Sequence, residues 1–352
     1  MRWFLGFLIL TVTPLLSFAQ SSSLAFSRNA RTFETQHSTL VMKGLANSCL
    51  TMPIIPDGLP CNPAMTSLNL KPSLGAEIQL SNGYSALDNV RKLIDGKITQ
   101  ELVDTLFAEG KIIQIEANAD INFHSRYFSG QFTPISVKGF SVVRNEANPD
   151  VDLYAIEEKG FTFQSGYEVY KDFFAGLQLR TLSRKFIKQR FKLAVLGTQA
   201  GQDLLKPKEQ NATYIEPGFT YFFSKDWKPR VSLFVANLGF YSQKYEELNT
   251  PVEAQVGIGI SPPMTWGEMD LSLEYRSMTY EENDLKKLRF GALYHFGSMY
   301  LSGGLDSNGI SGGVFYKLDK INAGIVYSTT QVTNQGESFY TQTVYVQLGW
   351  QI

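Results

Sequence analysis

The sequence predicts an all-β fold: a transmembrane antiparallel β-barrel of about fourteen strands, with an N-terminal plug segment and a short helical insertion. Three observations predict it. Apolar residues recur at every second position in segment after segment, the connections between those segments alternate between long and short, and a leader of the exported kind precedes them. The stretch TVYVQLGWQI shows the pattern. Val344, Val346, Leu348, Trp350 and Ile352 share one face, and Thr343, Tyr345, Gln347, Gly349 and Gln351 share the other.

Taken in order, residues 1–19 read as a signal peptide. They carry one basic residue, an apolar run from Trp3 to Leu16 and a small-x-small site at Ser17, Phe18 and Ala19. The run is too short and too poorly flanked for a transmembrane anchor, and Gln20 stands where a lipoprotein would need cysteine. Residues 20–72 are expected to form a plug or hatch, because CLTMPIIPDGLPCNPA is too proline-rich for regular structure and too apolar for a free tail. Cys49 and Cys61 stand twelve positions apart in it. An oxidising compartment joins such a pair, with a gain of about 3 kcal/mol, and two separate thiols are the alternative.

Residues 73–352 are assigned to the barrel. A helical insertion interrupts it at about 86–109, where Leu87, Val90, Leu93, Ile94, Ile98, Leu102 and Leu106 fall at helical spacing and Gly96 divides two short helices. Their apolar face is expected to pack on protein. In IEANADINFH, Ile115, Ala117, Ala119, Ile121 and Phe123 oppose Glu116, Asn118, Asp120, Asn122 and His124. MDLSLEY and LRFGALYHF repeat the pattern, with Glu274, Arg276 and Arg289 on the polar row. Strand ends carry aromatic residues such as Tyr340 and Trp350, suited to interfacial girdles. A sandwich would return every 8–12 residues with short turns at both ends. Here YKD, SKDWKP, GS and KLDK are short, whereas GTQAGQDLLKPKEQNA, GFYSQKYEELNT, TYEENDLKK and STTQVTNQGES are long.

That segregation matches short periplasmic turns and long outer loops, and two periplasmic termini require an even strand number. Fourteen satisfies it once Val151 to Gly160 is read as a strand continuation or outer extension; residues 183–196 carry the same ambiguity. The helical insertion then lies on the outer side. Mean hydropathy of -0.12 does not oppose a barrel, whose polar lumenal rows cancel its apolar outer face. The formal charge of -1 shows no basic excess of the kind a nucleic-acid partner requires.

Chemistry is sparse. The polar row includes Glu116, Asp120, Glu168, Arg180, Glu216, Glu274, Arg276 and Arg289. It could serve as a permeation path or a catalytic cluster; the reading adopted is that these charges pair inside the lumen and hold the plug, with Glu274 and Arg289 one such pair. GISGG, residues 309–313, fits a nucleophile elbow, but Ser311 starts a strand rather than a strand–turn–helix, and no enzyme activity or cofactor is expected. His37, His124 and His295 lack metal-ligand spacing. The basic stretch LSRKFIKQRFKL, with Arg184, Lys185, Lys188, Arg190 and Lys192, would either meet lipopolysaccharide headgroups or extend a strand into solvent. The sequon at Asn211 has no role in a bacterial envelope.

The order of pieces resembles the FadL-type outer-membrane proteins, including their PorV-like and TraF-like relatives. The resemblance rests on the leader, the N-terminal segment with Asn62, Pro63 and Ala64, one strand, a helical insertion, and then PRVSLFVANLG, PVEAQVGIGISP, DLSLEYR, LRFGALYHFG and LSGGLDSNGISGGVFY. It implies location in the outer membrane of a Gram-negative envelope, a fourteen-stranded barrel, a lumenal hatch containing Asn62 to Ala64, and passage of hydrophobic or amphipathic small molecules. Outer-membrane lipid and lipopolysaccharide would surround it. The rival reading is a non-transporting component that serves a secretion or conjugation machine through protein partners.

Overall fold

The computed structural model describes residues 39–68, 72–107, 112–144, 150–224, 226–243, 245, 248, 252–277, 287–307, 309–334 and 337–352. The leader and residues 20–38 of the plug segment lie outside the described residues, as does the Tyr340 side chain.

Among the described residues the wall consists of β1 (Ser73–Ser81), β2 (Ile112–His124), β3 (Phe128–Arg144), β4 (Asp150–Tyr170), β5 (Phe173–Lys192), β6 (Lys208–Phe222) and β7 (Arg230–Ala236, continued by Gly239–Tyr241). It goes on through β8 (Glu253–Ile260), β9 (Glu268–Arg276), β10 (Leu288–Phe296), β11 (Met299–Asp306), β12 (Gly309–Leu318), β13 (Ile321–Asn334) and β14 (Glu337–Gln351). The two parts of β7 both pair with β6, on either side of Asn237, which takes a φ of 63°. Each strand pairs antiparallel with its neighbours in sequence, β1 also pairs with β14, and the ring contains fourteen strands. Closure leaves no sheet edge, so the backbone groups of the belt are paired strand to strand rather than offered to lipid.

At one end the turns are short. Residues 171–172, 297–298 and 319–320 each contain a positive-φ residue, Asp172, Gly297 and Asp319, which lets two residues reverse the chain. The opposite end carries the helical insertion and the longer connections. Val151 to Gly160 belongs to β4 and residues 183–192 to β5, so these are strand continuations, while Leu193–Gly197 turns as a 3-10 helix. Most of STTQVTNQGES is likewise strand, in β13 and β14.

The wall's outer surface divides in two. Below, Ile78, Phe161, Leu177, Ile215, Ile258, Leu273, Ile325 and Leu348 are exposed. In β4 this belt runs from Phe161 to Val169, roughly 20 Å along the membrane normal once strand tilt is allowed for. Tyr167, Tyr170, Trp227, Trp266 and Trp350 ring its turn end. Above, the same outward row is covered. Ile115, Val137, Val143, Val151, Leu153, Ala155, Ile187 and Phe191 pack against Val90, Leu93, Ile94, Leu102, Leu106 and Phe107. These last belong to or flank α2 (Leu87–Ile94) and α3 (Gln100–Leu106), separated by Gly96 with a φ of 74°. Helices this short are marginal alone and owe their stability to that apolar face. Their outer side is charged, with Asp88 and Lys92 paired at 2.6 Å.

Candidate functional site: a plugged lumen beneath an apolar chamber

The described plug, residues 39–68, follows the inner wall. It begins with α1 (Leu40–Gly44), capped by Thr39, whose Oγ1 accepts from Met42 N at 3.3 Å. Leu40, Val41, Leu45 and Met52 are buried against Leu293, Phe315, Val326 and Tyr345. Farther along, the Cys49 and Cys61 sulfurs are joined. Missing side chains on the wall make room for the plug backbone. Gly166, Gly176 and Gly218 lie level with one another on β4, β5 and β6, and a Cβ on any of them would overlap Asn62, Pro63 or Ala64. Gly304 receives Leu45 and Ala46 in the same way, and Gly291 receives Ser48.

Polar groups complete the seat. Asn62 Nδ2 donates to Phe219 O and Thr220 Oγ1, both at 3.1 Å, while its Oδ1 accepts from Ala64 N at 3.0 Å. Gln164 Nε2 donates to Pro60 O at 2.9 Å. Glu274 Oε1 accepts from Leu50 N at 2.5 Å, Arg276 Nη2 donates to Asn47 O at 2.6 Å, and Arg230 Nε donates to Thr51 O. Ser311 Oγ donates to Gly44 O at 3.1 Å and accepts from Ala46 N at 2.9 Å, so the serine of the elbow-like motif holds the end of α1.

The lumenal charges are largely paired, as buried charges must be. Arg180 Nη2 meets Glu216 Oε1 at 2.7 Å, with the guanidinium 4.2 Å from the Tyr214 ring centroid. Lys43 Nζ lies 2.7 Å from Glu116 Oε1 and 3.8 Å separates that oxygen from Lys138 Nζ. Burial holds the Lys43 ammonium at about 8, below its ordinary value, against the pull of Glu116. Asp120 accepts from Thr133 Oγ1 at 2.5 Å. The register sets Glu274 directly opposite Arg289, and Arg276 lies 3.7 Å from the same carboxylate.

Glu168 keeps the inward parity but does not reach the lumen. It is exposed at the turn end, where it accepts from Asp172 N at 3.0 Å and closes the β4–β5 turn. The basic stretch is also divided by the pleat. Arg184 is buried inside, 2.7 Å from Glu158, which removes it from any headgroup surface; Arg190 is on the same row and pairs with Asp152 at 3.6 Å, but stays exposed at the loop end. Lys185 alone of the ion-paired basic residues there points outward, to Glu209 at 3.2 Å. Among the described residues no three His, Cys, Asp or Glu side chains converge on a metal position.

Above the charged belt the inner wall changes character. Phe140 and Val142 of β3, Tyr154 and Ile156 of β4 and Phe186 of β5 form a buried apolar cluster with Leu248 and Tyr245 of the β7–β8 loop. Phe186 and Tyr245 meet edge to face at 5.3 Å. These side chains fill the chamber at the loop end of the lumen, in contact with one another. Sequence reasoning missed it, although Phe140, Val142, Tyr154, Ile156 and Phe186 break the apolar-out, polar-in rule and were visible as such.

No family model matches the chain. No curated protein matches it by sequence. Among solved structures it is similar to the CymD monoaromatic hydrocarbon channel, at 10% identity over 88% of this chain and 96% of that one, with a TM-score of 0.52. It is also similar to the Pseudomonas putida toluene transporter TodX, at 7% identity over 90% and 97% of the two chains, with a TM-score of 0.51. Over nearly its whole length, the chain shares its barrel fold with these two channels.

Proposed function

We propose that this protein lies in the outer membrane and passes hydrophobic or amphipathic small molecules inward, in the manner of FadL-type channels. Solute enters from the loop end, the extracellular side, and lodges among Phe140, Val142, Tyr154, Ile156 and Phe186, which part from Leu248 and Tyr245 to admit it. It then crosses when the segment containing Asn62, Pro63 and Ala64 shifts from its glycine seat. The chamber carries this reading: a barrel conducting ions or water has no use for an oily inner wall, whereas an apolar solute requires one. The names of the two channels of similar fold, which mention monoaromatic hydrocarbons and toluene, support the same class. Lipid surrounds the belt, and the exposed Lys185, Arg190 and Lys192 offer charge to lipopolysaccharide headgroups.

A second reading has its own observation. The plug is closed by Cys49–Cys61 and fixed by Lys43–Glu116 and by Leu50 on Glu274, which suits a sealed barrel that serves a secretion or conjugation machine through its loops and helices. Uptake of labelled toluene and of a long-chain fatty acid by a deletion strain, compared with its secreted proteins, separates the two. Transport predicts slower uptake, restored by the wild-type gene and not by a Phe186→Arg copy that inserts normally. Unchanged uptake with an altered secretion profile would reject transport in favour of the machine component.

A further inference from the structure

Residues 39–68 of the plug contain one basic side chain, Lys43. It is 7% exposed, and its ammonium meets three groups of the wall: Glu116 Oε1 of β2 at 2.7 Å, Gln79 Oε1 of β1 at 2.5 Å, and the Tyr345 ring of β14, whose centroid is 4.2 Å away. Asn118 stands opposite Gln79 across the β1–β2 pair. Its Nδ2 donates to both oxygens that Lys43 touches, to Gln79 Oε1 at 3.3 Å and to Glu116 Oε1 at 3.2 Å, while its Oδ1 accepts from Ser136 Oγ at 2.6 Å. Gln79, Glu116 and Asn118 are buried as well. An amine, a carboxamide, a carboxylate and a second amide donor therefore converge out of water.

A permanent ion pair is better served by arginine, which the wall uses for its other cationic holds on the plug, Arg230 on Thr51 and Arg276 on Asn47. Lysine differs because it can release a proton and become a nucleophile, and burial lowers the Lys43 ammonium to about 8. The Gln79 Cδ lies one carbonyl bond, about 1.23 Å, beyond the oxygen that Nζ already touches. We propose that Lys43 and Gln79 react with each other to form an amide cross-link between plug and wall, with Glu116 as base and acid and Asn118 as donor to the developing oxyanion. Glu116 takes a proton from Nζ, the amine's lone pair bonds to Cδ, and charge gathers on Oε1, where Asn118 Nδ2 stands. Glu116 then hands the proton to Nε2, the Cδ–Nε2 bond breaks, and the nitrogen leaves as ammonium. The protons of Nζ and Nε2 are all accounted for by the new amide and that ammonium; the carboxylate is regenerated and no other reactant is required. Afterwards Glu116 keeps Lys138 at 3.8 Å, so the reaction strands no carboxylate. Until the bond forms, Lys43 is a titrating ammonium. The bond roots α1 on β1, leaves Asn62, Pro63 and Ala64 to their glycine seat, and does not depend on what the barrel conducts.

The test uses the full chain recovered from outer membranes, reduced at Cys49–Cys61, unfolded and digested with trypsin, which cuts here after Arg31, Lys43 and Arg91, and then with cyanogen bromide, which cuts after Met42, Met52 and Met65. In wild type the piece that begins at Lys43 is expected to stay attached to the piece containing Gln79, uncut after Lys43 and lighter by one ammonia than the two together. Lys43→Arg, which keeps the charge, and Glu116→Gln, which keeps the shape and removes the base, are expected to give separate pieces. Cleavage after Lys43 in wild type, with no ammonia lost, would overturn the proposal. So would joined pieces in equal yield from Glu116→Gln. Should the variants fail to insert, wild type refolded into detergent still decides: the joined product must grow with time, one ammonium released for each, and a chain that stays unjoined rejects the reaction.

Discussion

The wall contains two kinds of strand. β8 and β11 have 8 residues each, while β3, β4 and β5 have 17, 21 and 20. In the short strands the outward apolar row, with Ile258, Leu273 and Leu301, ends with the belt. In the long ones the row continues past the belt as Leu153, Ala155 and Ile187, and there α2 and α3 cover it. The inner row changes at the same height, from Gln164, Gln178 and Arg180 to Tyr154, Ile156 and Phe186. A period of two therefore reports that two faces differ, and leaves open whether lipid or protein lies against each.

If the upper wall is a protein core, its buried charges behave as core charges. Glu158→Ala strands Arg184, which is 1% exposed, and is expected to cost about 3–5 kcal/mol in equilibrium refolding, with much of that recovered when Arg184→Met is added. Glu209→Ala, whose partner Lys185 is half exposed, is expected to cost less than about 1 kcal/mol. Equal effects would erase the distinction between inside and outside at this height.

The two outward rows can be compared directly. Leu153→Ala and Ile258→Ala both forfeit about 0.8 kcal/mol per methylene removed from water. Only Leu153, packed under the helices, leaves a cavity, which brings its total to about 2–5 kcal/mol. Lipid fills the space left by Ile258, so its loss stays at the transfer value. Matching losses would mean that α2 and α3 do not cover the wall.

The alternation and the unequal connections carried the closed fourteen-stranded barrel, because pleat and closure force both on any membrane-spanning sheet. The segment around Gly96 was readable as two helices for the same local reason. What covers a face is a tertiary matter. Ile115 reads like Ile121, yet Ile115 is buried against the insertion and Ile121 is exposed. Glu168 obeys the inward parity but lies too near the turn to reach the lumen. The chamber required noticing that Phe186 and Lys188 share a row, which a single averaged strand pattern hides. Lys43 could not be matched to Glu116, since nothing in the sequence fixes the path of the plug.

The inner and outer faces of the short turn-end half differ at their glycines. Gly176→Ala drives a methyl into Pro63 and Ala64, at an expected cost of about 1–3 kcal/mol and with faster proteolysis of the plug. Gly303→Ala meets nothing within 4 Å and is expected to leave both unchanged. A plug resting loosely in the lumen would make the two variants alike.

The smallest effect tests how dry the plug seat is compared with the exposed helices. Lys43 has its folded value lowered to about 8, whereas the unfolded chain titrates near 10.5. Between those values the unfolded chain holds the proton that the folded chain has released, so this group adds stability as pH rises. Below 8 both states are protonated and the burial penalty is felt in full. From pH 8 to 9 wild type should gain about 1 kcal/mol over Lys43→Met. Lys92, exposed and paired with Asp88, has its value raised instead, so any stability it adds is present below the unfolded value and is lost as pH rises through the folded one. A wild-type refolding curve parallel to that of Lys43→Met through this window would mean that burial does not depress the Lys43 ammonium, either because water reaches it or because Glu116 offsets the cost in full.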